Sequence, residues 1–279
     1  MFDIHVHTAP DVVDRYGDDH AILRLYEQAG FSGCVLKSHY DTTTGRARAA
    51  SQGLRLKVFG ALALNQHAGG LNPAAVAAAL ATGARVIWMP TADAHTQQAA
   101  GLPRLCCSRP ELATTTYAIP PVDWSVEGDL RLIVKLIAEA DAVLATGHLS
   151  EAEVGWLLPV ASELGVRRML LTHPSYTVPA MHPKRVAELT ELGAYAEITA
   201  FQLLHQPGCD SRQLADLVRT VGYERIVLSS DAGQPDSPAP PDALRHLVEA
   251  LVVEGLDADA LRASASDIPE TLVSPDPMR

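Results

Sequence analysis

The chain has 279 residues, of which 47% are apolar and 20% charged, and it carries a formal net charge of −11. That length suits a single α/β barrel domain, which needs about 250 residues. An acidic chain without any long basic run is a poor partner for nucleic acid or for an anionic membrane surface.

Strand-like runs and helix-like segments alternate along almost the whole chain. Strands are predicted at 2–7, 33–39, 56–64, 85–90, 142–148, 168–173, 194–199 and 225–231. Helices are predicted at 21–29, 44–52, 73–81, 130–140, 151–164, 183–192, 211–221 and 242–254, where apolar residues recur at helical spacing. Gly30, Gly53, Gly83, Gly165, Gly193 and Gly222 each follow a predicted helix, as left-handed C-caps do. Repeated strand–helix units imply a parallel sheet, and eight of them favour closure into a (β/α)8 TIM barrel over an open doubly wound sheet. No Gly-rich phosphate loop follows the first strand, as an open dinucleotide-binding sheet would require. A single domain spanning 1–279 is expected.

One connection exceeds the usual length. Residues 91–125 follow the fourth strand and include His95, Arg104, Arg109, the Cys106-Cys107 pair, Tyr117 and the Pro120-Pro121 step. On a barrel this segment is expected as an active-site lid or insertion on the catalytic rim. Gln234 to Pro241 reads as a stiff connector.

The four cysteines, Cys34, Cys106, Cys107 and Cys209, do not form a disulfide framework, which fits a reducing compartment. Met1 leads straight into a strand-like alternation, and no uninterrupted apolar run reaches about 18 residues. Neither a leader nor a transmembrane helix is therefore expected, and a cytoplasmic location is. A small molecule is the expected partner, with no nucleic acid and no membrane, and a homodimer is the default assembly.

The chemistry-bearing residues gather at strand ends. With a side-chain period of two, His5 and His7 share one face of the first strand, while Ile4 and Val6 take the other. His148 ends the fifth strand in Ala-Thr-Gly-His-Leu-Ser, His173 ends the sixth in Leu-Leu-Thr-His-Pro-Ser, and Asp231 ends the eighth in Val-Leu-Ser-Ser-Asp-Ala-Gly. Barrel active sites occupy the C-terminal strand ends. Isolated charges there are costly unless paired or metal-bound. Five such side chains point to a divalent metal site made by His5, His7, His148, His173 and Asp231.

These motifs resemble the amidohydrolase superfamily. Its barrels hold one or two divalent metals through a His-X-His on strand one, histidines on strands five and six, and an aspartate on strand eight. The resemblance extends to Gly-His-Leu-Ser-X-X-Glu at 147–153, Leu-Thr-His-Pro at 171–174 and Ser-Asp-Ala-Gly at 230–233. It also extends to the closing helix at 265–272, where Asp267 replaces the usual asparagine. One departure concerns strand four. Two-metal members often carry a bridging lysine or glutamate there, but Val-Ile-Trp-Met-Pro-Thr offers none before Asp93. Lys37 and His39, inward on the second strand, and Glu197, on the seventh, are left to complete a second site or to bind substrate. Glu197 is carried as a candidate ligand.

The implied activity is metal-dependent hydrolysis of a C–N or C–O bond in a cyclic amide, a lactone or a related ester. Phosphoester cleavage and single-metal non-oxidative decarboxylation are the alternatives, with a non-catalytic metal-binding protein behind them. A cation lowers the pKa of bound water toward about 7. Asp231 is expected to shuttle the proton. His173 is expected as a ligand or as a hydrogen-bond donor to the oxyanion, and Lys37 as a supplier of positive charge. His39, Tyr176 and Arg104 are the substrate-binding candidates, with Arg109, Gln202 and His205 weaker ones. Zinc is the first expectation for the metal, with Mn, Fe and Ni also suited to the donors.

Overall fold

The computed structural model describes residues 1–102 and 115–276. Among these residues, eight parallel strands stand in sequence order. They are β1 (Phe2–His7), β2 (Gly33–Lys37), β3 (Lys57–Ala63), β4 (Ala84–Trp88), β5 (Val143–Ala145), β6 (Met169–Leu171), β7 (Ala194–Thr199) and β8 (Ile226–Ser229). Main-chain hydrogen bonds just past β8 shut the ring: His7 N donates to Ala232 O at 2.8 Å and Asp231 N to His5 O at 2.8 Å. The fold is the expected (β/α)8 barrel.

The predicted helices are all present, as α1 (Asp19–Gln28), α2 (Thr44–Ala50), α3 (Pro73–Ala81), α5 (Glu127–Glu139), α6 (Glu151–Glu163), α7 (Pro183–Thr190), α9 (Ser211–Val221) and α10 (Pro240–Val253). Their starts are capped as the sequence suggests. Ser150 and Asp210 each form a capping box, with Glu153 and Gln213 respectively. The apolar stripe of α9, Leu214, Ala215, Leu217 and Val218, is buried against the sheet. Short α4 (His95–Ala99), α8 (Ala200–His205) and α11 (Ala258–Ser264) escaped the periodicity, being too brief to show one. Helix α12 (Asp267–Val273) is the closing helix. Its Leu272 and Val273 plug the lower end of the barrel beside Phe2 and Ile4.

Two apolar layers result. Val35, Ala61, Ala63, Val86, Trp88, Val143, Ala145, Leu170 and Val227 fill the barrel interior. Their strand neighbours, such as Leu36, Leu62, Ile87, Leu144 and Leu228, face the helices. The alternation fails once, on β1. Ile4 packs in the interior with Phe2, whereas Val6 packs in the outer layer, so the two do not share a face. The register between β1 and β2 shifts between Asp3 and Val6, and the Asp3 carboxylate accepts the His5 amide at 3.1 Å. A bulge of this kind re-aims side chains next to active sites. Here it turns His5 inward directly after Ile4 and leaves His5 and His7 together, their ring centroids 5.4 Å apart.

All the strands except β1 and β7 end before their predicted limits, the last residues of each predicted run lying in the loops at the mouth. Gly147 has φ +58°, and a Cβ there would sit 2.3 Å from Met89 O. His173 and Asp231 take φ +25° and +49°, values that non-glycine residues rarely adopt. Asp141 and Ala180 also lie in this region, at φ +50° and +58°.

Candidate metal centre

Three side chains on the seam of the barrel converge. Oδ1 of Asp231 lies 3.0 Å from Nε2 of His5 and 3.2 Å from Nε2 of His7, and all three residues are buried. Among the described residues, this trio is the group whose ligand atoms all fall within 4.8 Å of one another. Burial alone would raise the Asp231 carboxyl. The His5 charge and the hydrogen bonds from both rings instead hold it well below the usual carboxylate range. The His7 imidazole is also lowered: burial, helped by the nearby Arg15, pushes it well below its ordinary value and so favours the neutral ring, whereas the lowered Asp231 favours the charged carboxylate.

Behind the trio stands Glu197, fully buried on β7. Its Oε1 lies 2.9 Å from Nδ1 of His5 and accepts Ser229 Oγ at 2.7 Å, while Oε2 accepts the His173 amide at 3.1 Å. Both oxygens are thus engaged on the side of the His5 ring away from Asp231. Burial opposes its charge, but the positive pull of His5 outweighs it and keeps the carboxyl low. Lys37, 1% exposed, points Nζ at Nε2 of His5 from 2.8 Å. Burial draws its pKa down to about 8 against the attraction of Asp231 and Glu197. The ammonium sits 5.0 Å from the ring centroid of Trp88, which floors the site from β4.

His148 and His173 form the opposite wall, their rings 5.1 Å apart. Nε2 of His173 is 3.9 Å from Oδ2 of Asp231, and its buried Nδ1 has no hydrogen-bond partner among the described residues. Nδ1 of His148 lies 2.9 Å from Oε1 of Gln97 on α4. Burial takes His173 down to about 4 and His148 well below its ordinary value, so both rings are neutral near pH 7. Tyr176 stands edge-on to His173 at 5.1 Å, and His39 stacks on His7 at 4.9 Å with its Nδ1 2.8 Å from Thr91 Oγ1. These groups line a cavity of about 290 Å³ together with Arg15, Lys37, Gln97 and Asp231.

The remaining candidates fall elsewhere. Arg104 and Arg109 lie outside the described residues. Gln202 caps α8 and donates to Ser175 Oγ at 2.9 Å, and His205 lies 2.7 Å from Ser237 Oγ. Sequence reasoning missed Arg15 and Gln97. Arg15 sits among Asp11, Asp14, Asp18 and Asp19, a run that reads as a solvated loop, and Gln97 lies in a segment without periodicity. It also missed Asn65, whose side chain accepts the Thr91 and Asp93 amides and donates to His39 O, fixing three loops of the rim. The motif residue Glu153 does have a legible signal. It receives the Ser150 and Ile119 amides and lies 2.9 Å from Nε2 of His95, pinning the connection after β4 onto α6.

Residues 1–197 match the model of a family described as Family of unknown function (DUF6282). The chain belongs to that family. The span matched to DUF6282 carries His5, His7, Lys37, His148, His173 and Glu197, and Asp231 lies beyond it. A search of curated proteins finds no match. Among solved structures, this DUF6282 chain is similar to an organophosphorus hydrolase from Deinococcus radiodurans. The two are 14% identical with a TM-score of 0.62 over 98% of this chain and 92% of that one. A mutant PTE-like lactonase from the same organism is 13% identical, TM-score 0.59, over 98% and 95%. A Pseudomonas putida protein provisionally designated 2-pyrone-4,6-dicarboxylic acid hydrolase is 16% identical, TM-score 0.57, over 98% and 96%. The likeness of this DUF6282 member to these structures is one of fold.

The donor set suits a divalent cation. Two imidazole Nε2 atoms and one carboxylate oxygen are the ligand types that zinc and its neighbours accept. His5 is backed at Nδ1 by Glu197, the carboxylate support that metal-binding histidines commonly have. The unpartnered Nδ1 of buried His173 is a further polar atom left for a ligand to settle.

Proposed function

We propose that the protein is a metal-dependent hydrolase that uses water to cleave a C–O or C–N bond in a small ester, lactone or cyclic amide. The observation that carries this reading is the convergence of His5 Nε2 and His7 Nε2 on Asp231 Oδ1 at 3.0 and 3.2 Å. One divalent cation, zinc by preference, would be held by His5, His7 and Asp231, with His173 as a candidate further ligand. When bound it supplies Lewis acidity toward water and toward the acyl oxygen. A single ion fits β4, which brings Trp88 rather than a bridging acid or lysine under His5.

The side chains take the remaining tasks. Asp231 accepts the proton of the attacking water and returns it to the leaving group, its carboxylate standing between the two imidazoles at the mouth. Glu197 holds the His5 ring through Nδ1, so that Nε2 keeps its lone pair for the cation. Lys37, whose Nζ lies 2.8 Å from Nε2 of His5, would be displaced from that nitrogen by a cation, and its ammonium would then be placed to meet a developing oxyanion. His148, with Nδ1 fixed by Gln97, presents Nε2 to the cavity. Tyr176 and His39 form the walls that orient the substrate.

Zinc-loaded protein should hydrolyse members of a panel of lactones, lactams and phosphoesters, incorporating one oxygen from oxygen-18 water per turnover. Carbon dioxide release without label would replace hydrolysis by decarboxylation. Absence of stoichiometric zinc after loading would remove the metal centre and the reading with it.

A further inference from the structure

The chemistry above leaves Arg15 without a task. It reaches the cavity wall from the loop between β1 and α1, its side chain only 4% exposed. Nε and Nη2 donate to Oδ2 of Asp11 at 2.8 and 2.7 Å, and Nη2 lies 3.2 Å from Nδ1 of His7. The Asp11 side chain is itself fully buried, so it acts as an internal tether for the guanidinium. Nη1 has no hydrogen-bond partner among the described residues. A buried guanidinium that keeps donors for a cavity is suited to a planar anion.

Its contact with His7 is exchangeable. A guanidinium only donates, so it needs the lone pair of Nδ1. Were Nε2 of His7 to hold a cation, Nδ1 would carry the proton and two donors would face each other, leaving Nη2 of Arg15 for a ligand in the cavity while Asp11 keeps the guanidinium at the wall.

We propose that Arg15, tethered by Asp11, binds a carboxylate carried by the substrate, so that the site acts on small anionic esters or lactones in preference to neutral ones. This rests on the hydrolase reading above. A cation held beside Lys37 would add to the attraction that Arg15 offers a carboxylate in this cavity. Val13, Leu102, Phe201 and Tyr176 supply apolar wall for the body of such a molecule.

The test titrates zinc-loaded wild type, Arg15→Gln and Arg15→Lys with benzoate, benzamide and phenyl phosphate by calorimetry. Zinc content and circular dichroism are checked for each variant. Wild type is expected to bind benzoate about tenfold or more tightly than benzamide, the scale of one hydrogen bond to a charged group. Arg15→Gln erases that preference with zinc content and benzamide affinity unchanged, and Arg15→Lys retains part of it. Equal binding of the two by wild type overturns the proposal. So does a preference that survives Arg15→Gln and disappears only on zinc removal, which places the carboxylate on the cation. Phenyl phosphate bound in preference to benzoate, and dependent on Arg15, overturns the carboxylate assignment in favour of phosphoesters. Should Arg15→Gln not fold, Arg15→Lys decides alone: it keeps the charge but lacks the fork, and a preference equal to wild type overturns the idea. Binding needs no turnover. An intact preference in a protein that hydrolyses nothing in the panel therefore sinks the hydrolase reading and leaves this one standing.

Discussion

The two rims of the barrel treat charge in opposite ways. At the lower rim, where the strands begin, Asp141 receives Arg167 Nη2 at 2.8 Å and Arg168 Nη2 at 2.9 Å. Arg85 and Arg168 spend their other donors on carbonyls of Val273, Ala140, Asp141, Thr271 and Leu272, tying α12 across the opening. Two arginines share one carboxylate there, and Arg85 spends its donors on main-chain carbonyls. At the upper rim, Lys37 and Asp231 both crowd one nitrogen of His5, and the group faces a cavity. Charge whose donors and acceptors are all spent on neighbouring elements holds a fold together, while charge gathered around one nitrogen beside a cavity is placed for a ligand. Substitutions at the mouth should therefore cost activity and spare stability, and those at the base should do the reverse.

The largest effect is expected at the seam. Asp231→Asn should lower turnover by about 10²–10⁴-fold, the usual contribution of a positioned proton acceptor, with the melting temperature of metal-free protein little changed. His7→Ala should abolish stoichiometric zinc by elemental analysis. Near-wild-type rates for the first, or full zinc occupancy for the second, would end the assignment of the trio. Next comes Glu197→Gln, which leaves His5 in place but weakens its support. Zinc affinity measured by chelator competition should drop about 10–100-fold. An unchanged value would show that Glu197 holds the backbone of β6 and not the metal.

Gln97→Leu removes the acceptor at Nδ1 of His148. A fall in kcat/KM of about tenfold at constant zinc content is expected, the worth of one buried hydrogen bond. No change would separate α4 from the site. The smallest effect belongs to the base. Asp141→Asn should cost of the order of 1 kcal/mol or less, as expected for a partly solvated pair, and leave turnover alone. Burial opposes the charge of Asp141, but Arg168 and Arg167 hold its carboxyl at about 2, below the ordinary 3.8. The folded-state value is the depressed one. Its contribution is therefore complete above about pH 4 and lost as the pH falls toward 2. Urea midpoints of wild type and variant should converge over that interval, and a gap that persists at pH 2 would contradict the assignment.

What the sequence revealed follows from how each feature is encoded. Period-two and helical repeats are local, so the eight strands and their crossing helices were legible, as were His5, His7, His148, His173 and Asp231 at strand ends. The bulge in β1 was not. It depends on Asp3, which is held by Tyr26 and by the Ser230 amide from the far end of the chain. The two histidines were paired correctly although the strict alternation used to pair them does not hold at Ile4 and Val6. The place of Glu197 behind His5 could not be read either, because parity says only that it faces inward. Arg15 and Gln97 lie in irregular segments, where only three-dimensional proximity distinguishes a wall of the cavity from a solvated loop.

The closure of the barrel has a further consequence. The same few peptide groups that stitch His5 and His7 to the Asp231–Ala232 segment complete the cylinder, so an ion shared between them would act as a clasp on its seam. Loading should then slow deuterium uptake at the amides of His7 and Asp231 more than at those of the opposite staves, such as β4 and β5. The cylinder would tighten first where it is joined.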